Sequence, residues 1–222
     1  MKELPTIIYL HGLGSSPQSP KARLFAGRFT TLGHEVVIPE LSLPSLQQLS
    51  VRAALERVGS VVADVTKRSS AIVIGSSFGG FLAVHALRCL SASESEQVRG
   101  LVLLAPVLYP RHPREPIITQ KMEADWQKAG VFPVAEGATG QYVSVHYRFL
   151  QELNEYASRE AHVSLPTLVV HGVRDEAVPY THSVEFVEQN AAAQLITLQD
   201  DHQMMAEPQK LVAVVQEFAE GL

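Results

Sequence analysis

Ser77 lies in the pentapeptide Gly75-Ser76-Ser77-Phe78-Gly79, between the apolar run 71–74 and a helical pattern that opens at Phe78. A Gly-x-Ser-x-Gly set between strand and helix lifts a hydroxyl on a sharp turn and points the next amide into the same space. A serine hydroxyl alone is a poor nucleophile and needs a base to take its proton. Nine histidines compete for that task. His202 is best placed, because it follows the strand-like run 194–198 in the polar stretch Gln199-Asp200-Asp201. The base in turn needs an acid that fixes its tautomer and stabilises the imidazolium. Asp175 stands shortly after the apolar run 167–170 and is the preferred acid. Asp201 adjoins His202, and neighbours in sequence reach each other poorly in the required geometry. After the run 101–104, the other strand end suited to an acid, stand Ala105 and Pro106. Two amides are expected to hold an oxyanion: that of Phe78, and that of Leu13, with Gly14 as the alternative, in His11-Gly12-Leu13-Gly14.

These groups need a frame that brings three strand ends to one edge. Apolar runs at 6–10, 35–38, 71–74, 101–104, 167–170 and 194–198 alternate with helical patterns at 20–31, 45–66, 78–92, 180–190 and 208–220. Most of the strand runs are continuously apolar, which suits parallel strands covered on both faces. The pattern predicts an α/β fold with a mostly parallel sheet of about six strands and helices on both faces. Sites in such folds gather at the carboxyl ends of the strands.

The alternation stops across residues 106–166, a stretch too long for a simple connection. We expect it to be a lid inserted within a single domain of residues 1–222. Residues 117–128 and 145–156 read as short helices, and 142–145 as an extended piece. Leu108, Met122 and Trp126 from this insertion are candidates for an apolar acyl pocket. Val178 after the acid and Met204 after the base join them, with Met205 beside it. Such side chains also fill interiors. Arg111, His112 and Arg114 sit among prolines and read as a solvated loop. No lysine or arginine stands where it would hold a substrate carboxylate.

With 46% hydrophobic residues in 222, the chain can build a sizeable core. A net charge of -5 offers no basic surface for nucleic acid. No run approaches a membrane span, and no leader peptide is expected ahead of the strand-like run that opens at Thr6. The lone Cys89 cannot form an internal disulfide and reads as a buried filler, consistent with a reducing, cytoplasmic setting. Gly12-Leu13-Gly14 begins like a dinucleotide fingerprint, but Pro17 occupies the third glycine position. No histidine pair has metal-ligand spacing. No cofactor and no metal are expected.

Together, His11-Gly12-Leu13-Gly14, Gly75-Ser76-Ser77-Phe78-Gly79-Gly80, His171-Gly172-x-x-Asp175-x-x-Val178-Pro179 and His202 resemble the α/β-hydrolase superfamily. The order serine, acid, histidine is that superfamily's own. The opening Tyr9-Leu10-His11-Gly12-Leu13-Gly14-Ser15-Ser16-Pro17, with Ser19 and Lys21-Ala22 after it, resembles, more narrowly, small bacterial YqiA-like esterases. The resemblance implies an α/β-hydrolase fold and catalytic roles for Ser77, Asp175 and His202, with oxyanion amides at Leu13 and Phe78. It also implies hydrolysis of small to medium acyl esters or thioesters through an acyl-enzyme. Rival readings are an amidase, peptidase or carbon–carbon bond hydrolase of the same fold, and a non-catalytic binding protein. A monomer or weak homodimer is the default assembly.

Overall fold

The structure, a computed structural model, describes residues 4–137, 139–157 and 161–222. The first half of the chain lays down β1 (Thr6–Leu10), α1 (Pro20–Thr31), β2 (Val36–Val37), α2 (Val51–Thr66), β3 (Ala71–Ser76) and α3 (Phe78–Leu87). Next come α4 (Ala92–Gln97) and β4 (Val98–Leu104), then α5 (Gln120–Ala129), β5 (Val131–Ala135), β6 (Tyr142–His146) and α6 (Arg148–Ala157). The chain closes with β7 (Thr167–Gly172), α7 (Thr181–Gln189), β8 (Ala193–Leu198) and α8 (Pro208–Glu220). Six strands form one parallel sheet in the order β2-β1-β3-β4-β7-β8.

Alternate residues of a strand face opposite sides of a sheet, so a continuously apolar strand feeds two cores. Ile8, Leu10, Val73, Leu101 and Leu103 join α2 and α3 on one face. Ile7, Tyr9, Ile72, Ile74, Val102 and Leu104 join α1 and α8 on the other. The central helix α3 is buried from Phe78 to Ala86, so its strand-side end is held firmly.

The stretch between β4 and β7 carries its own small sheet, the antiparallel hairpin β5–β6, flanked by α5 and α6. Trp126 stacks on Phe132 at 4.9 Å and on Phe149 at 6.0 Å, and its Nε1 donates to the Val145 carbonyl at 3.1 Å. Phe149 meets Phe78 edge-on at 5.4 Å, which seats the insertion against the start of α3. The hairpin also reaches the loop after β1, where the Gly137 N–H donates to the Gly14 carbonyl at 2.7 Å.

Several sequence expectations need correction. α2 starts at Val51, later than position 45, because Ser50 caps it with extended backbone and a side chain that accepts from Ala53 N–H. Glu152 of the insertion fixes that start by accepting from the Ser50 hydroxyl at 2.7 Å and from Arg52 N–H at 3.2 Å. The long helix expected from Phe78 stops at Leu87, and a separate α4 begins with a reciprocal cap between Ser91 and Glu94. Cys89 therefore lies just past the buried helix and is exposed, not buried. Arg111 and His112 are not a solvated loop. Arg111 pairs with Glu123 at 2.8 Å, and buried His112 meets Glu185 at 3.0 Å, which ties the insertion to α7.

Candidate active site

Ser77 sits between β3 and α3 with φ 53° and ψ -116°, a conformation that L residues adopt only when the surroundings enforce it. Its N–H donates to the Leu104 carbonyl at 2.9 Å, and its own carbonyl accepts from Gly80 at 2.9 Å and Val107 at 3.1 Å. The turn is too tight for side chains on either flank. A Cβ on Gly75 would lie 2.6 Å from the Gly79 carbonyl oxygen, and one on Gly79 would overlap the Leu10 carbonyl.

Asp175 follows β7, with its side chain fully buried. Its Oδ1 accepts the N–H groups of Ala177 at 2.9 Å and Val178 at 2.8 Å. Its Oδ2 accepts from His171 Nε2 at 3.1 Å and His202 Nδ1 at 2.7 Å. Burial alone would raise its pKa. The bonds from His171, His202 and Val178 overcome that and hold the carboxyl well below the usual carboxylate range. An ionised carboxylate only accepts, so His202 donates through Nδ1–H. Its Nε2 lone pair is then left facing Ser77 Oγ, 3.0 Å away. The same logic puts a proton on His171 Nε2, and its Nδ1 accepts from the buried Ser183 hydroxyl at 2.7 Å.

Backbone bonds join the two loops that carry the acid and the histidine. Val173 N–H donates to the Leu198 carbonyl at 2.9 Å, and Arg174 N–H to the Asp200 carbonyl at 3.0 Å. Asp200 folds the histidine loop around itself, accepting from Asp201 N–H at 2.8 Å and Ala206 N–H at 3.0 Å.

On the other side of Ser77 runs the loop after β1. A Cβ on Gly12 would lie 3.3 Å from the Ser77 Cβ, so this loop passes against the serine. Among the described residues, the N–H groups of Leu13 and Phe78 enter no turn or loop hydrogen bond. His11 supports the loop: its Nε2 accepts from Leu41 N–H at 3.2 Å, and its Nδ1 donates to the Gly12 carbonyl at 3.0 Å. Burial pushes the His11 pKa down, which favours the neutral ring these bonds require.

A cavity of about 160 Å³ opens beside Ser77 and His202, lined by Leu13, Tyr9, Lys21, Ser76, Met205 and the loop serines Ser15 and Ser19. Of the pocket candidates Met205 borders it, whereas Leu108, Met122, Trp126, Val178 and Met204 do not. Leu108, Val178 and Met204 are buried in the two cores around the sheet or behind the loops. Trp126 centres the insertion's own packing, and Met122 is half-buried on α5. The insertion's apolar groups are used to hold it together and onto α3. Tyr9, Ser76 and Lys21 stand in the sequence motifs, but nothing in those motifs assigns them to the cavity wall. Lys21 contradicts the expectation that no basic residue stands near the site. It lies one helical turn before Phe25 and two before Phe29 on the buried face of α1, a spacing that the sequence displays.

One group among the described residues has the composition of a metal site: His112, Glu115 and His182, with ligand atoms within 4.8 Å of one another. Its nitrogens are largely committed. His112 Nδ1 accepts from Glu115 N–H, His112 Nε2 meets Glu185, and His182 Nε2 donates to the Glu115 carbonyl. His182 Nδ1 is buried without a partner.

A parallel sheet in this strand order, with a serine on a strained strand-to-helix turn, places the chain among the α/β-hydrolases. It belongs to the uncharacterised protein family UPF0227, whose model matches residues 6–218. Among curated proteins it is similar to the mouse protein named "Palmitoyl-protein thioesterase ABHD10, mitochondrial", with 26% identity over 216 residues. That match spans 90% of this chain and 69% of the mouse protein. The solved mouse ABHD10 structure matches all of this chain and 92% of its own, at TM-score 0.79 and 24% identity. A protein from Agrobacterium vitis S4 matches at TM-score 0.80 and 21% identity, over 97% of this chain and 88% of that one. Est1E from Butyrivibrio proteoclasticus with ferulic acid bound matches at TM-score 0.72 and 19% identity, over 97% and 88%. These structural likenesses establish the fold. No described helix is long and apolar enough to cross a membrane.

Proposed function

We propose that this protein is a serine hydrolase of the carboxylesterase and thioesterase kind, acting on small to medium acyl groups through an acyl-enzyme. The observation that carries this reading is the unbroken line Ser77 Oγ, His202 Nε2, His202 Nδ1, Asp175 Oδ2, at 3.0 Å and 2.7 Å. Ser77 Oγ attacks the acyl carbonyl as His202 Nε2 takes its proton, and Asp175 stabilises the imidazolium. The amides of Leu13 and Phe78 hold the oxyanion. Phe78 stands at the first position of α3, where the helix dipole adds partial positive charge. His202 then protonates the departing alkoxide or thiolate. Water, deprotonated by His202, attacks the acyl carbon; the Ser77 ester bond breaks and the acid leaves.

The cavity of about 160 Å³ supports small groups. Pockets for drug-sized ligands span roughly 300–1,000 Å³. The ABHD10 name concerns a thioesterase, which supports keeping thioesters beside esters as substrates. We read residues 106–166 as a lid on a single hydrolase domain, working as a monomer or weak dimer. The lone cysteine suits a reducing compartment such as the cytoplasm.

The test is hydrolysis of p-nitrophenyl esters from acetate to laurate and of matched acyl thioesters, with fluorophosphonate labelling alongside. Wild type should turn over the shorter esters and take the label. Ser77→Ala should lose the label and lose turnover by on the order of a millionfold. Equal turnover or equal labelling in Ser77→Ala refutes the reading.

A further inference from the structure

Lys21 is an unusual wall for an ester site. It stands in the first turn of α1, is only 9% exposed, and lines the cavity next to Ser77 and His202. Its Nζ donates to Ser76 Oγ at 3.2 Å. An ammonium carries three donors, and among the described residues no other hydrogen bond and no ion pair is formed by this one. A charge taken out of water with one neutral partner is poorly compensated. The nearby carboxylates are occupied elsewhere: Asp175 by two histidines and two amides, Asp200 by the amides of its own loop. Asp200, Asp175 and Asp201 act on Lys21 through space and oppose the loss of its proton, while burial brings its pKa down to about 8. Lys21 is thus charged at neutral pH.

The helix end beside Lys21 has the same sign. α1 is twelve residues long, has no acidic residue in its first turn, and its N-cap Ser19 and first residue Pro20 both border the cavity. The positive end of the helix and the ammonium therefore face one small space. The Tyr9, Ser15 and Ser76 side chains add hydroxyl groups to it.

We propose that Lys21 marks a subsite for a carboxylate carried by the substrate, so that preferred substrates are esters or thioesters bearing a second, anionic carboxyl group close to the scissile bond. This inference rests on the hydrolase reading of Ser77 and names the substrate class for that site. A single carboxylate fits better than a phosphate dianion. The cavity is small, and the one ammonium in its wall is balanced by a single negative charge.

The experiment compares 4-nitrophenyl adipate, with a free terminal carboxylate, against the matching carboxamide, with spontaneous hydrolysis subtracted. In wild type kcat/KM should favour the carboxylate ester by about tenfold or more, the discrimination expected of a charge-assisted hydrogen bond. In Lys21→Met the ratio should collapse toward unity. Equal rates in wild type, or the same preference in Lys21→Met, overturns the proposal. The wild-type ratio needs no variant and decides the question even if Lys21→Met fails to fold. If neither ester is hydrolysed, the hydrolase reading fails separately, and calorimetric titration with adipate decides the subsite. Binding by wild type that Lys21→Met loses supports it; no binding by wild type overturns it.

Discussion

Replacing Lys21 by methionine removes a buried charge whose penalty depends on pH. In the folded chain burial brings the ammonium from its ordinary 10.5 to about 8. The unfolded chain therefore holds this proton more tightly than the folded one. With a folded pKa below the unfolded pKa, a basic group destabilises the fold fully below the lower value. The penalty fades as pH rises toward the higher one. At ~1.4 kcal/mol per pH unit, the gap between 10.5 and about 8 amounts to about 3 kcal/mol. The measurement is urea unfolding of wild type and Lys21→Met near pH 7 and near pH 10. Taking the difference between the two proteins cancels every other group that titrates in that range. The methionine variant should be the more stable near neutrality, and its advantage should shrink by roughly 2.5 kcal/mol at the alkaline end. A difference that stays constant to within about 0.5 kcal/mol refutes the claim that Lys21 is desolvated, because a hydrated lysine has no such gap.

Asp175→Asn should lower kcat by about ten-thousandfold, because a neutral amide no longer selects the Nδ1–H tautomer of His202; retention of more than a tenth of wild-type kcat contradicts the geometry. Gly79→Ala should fail to fold stably or unfold at much lower urea, since the added methyl overlaps the Leu10 carbonyl of the central sheet; wild-type stability would show that the turn can relax. Trp126→Ala should cost about 3–5 kcal/mol in unfolding free energy, as large core truncations do, with the order of preference among short acyl esters unchanged. A reordered acyl-length profile would return Trp126 to the acyl pocket.

What the sequence disclosed follows from how each feature is encoded. Most of the six sheet strands are apolar runs, and β1 and α1 match their expected bounds because Ser19-Pro20 marks a helix start so plainly. That Ser77, Asp175 and His202 converge was legible because each follows an apolar strand, and parallel strands put such residues on one edge. β5 was not legible. It is a half-exposed strand interrupted by Pro133, and its pairing with β6 arises only when the insertion folds back. The late start of α2 depends on Glu152, a hundred residues further along in the chain and invisible to any local pattern. The pocket residues were misplaced for a related reason. An apolar side chain in an insertion can face a ligand or its neighbours, and Trp126 has Phe132, Phe149 and the Val145 carbonyl to satisfy it. Lys21 was passed over because lysine in a first helical turn is ordinarily hydrated; the i, i+4, i+8 spacing with Phe25 and Phe29 was the signal to the contrary.

The hydrogen bond from Gly137 to the Gly14 carbonyl couples two things that enzymes often keep apart. The loop holding Leu13 is stitched to the β5–β6 hairpin, so the hairpin cannot peel back without releasing one anchor of that loop. Local opening of the insertion and loss of order around the Leu13 amide are then one cooperative event. The exchange rate of the Gly137 amide with deuterated solvent accordingly reads how often the hairpin parts from this loop, and a ligand that slows this exchange is holding the two together.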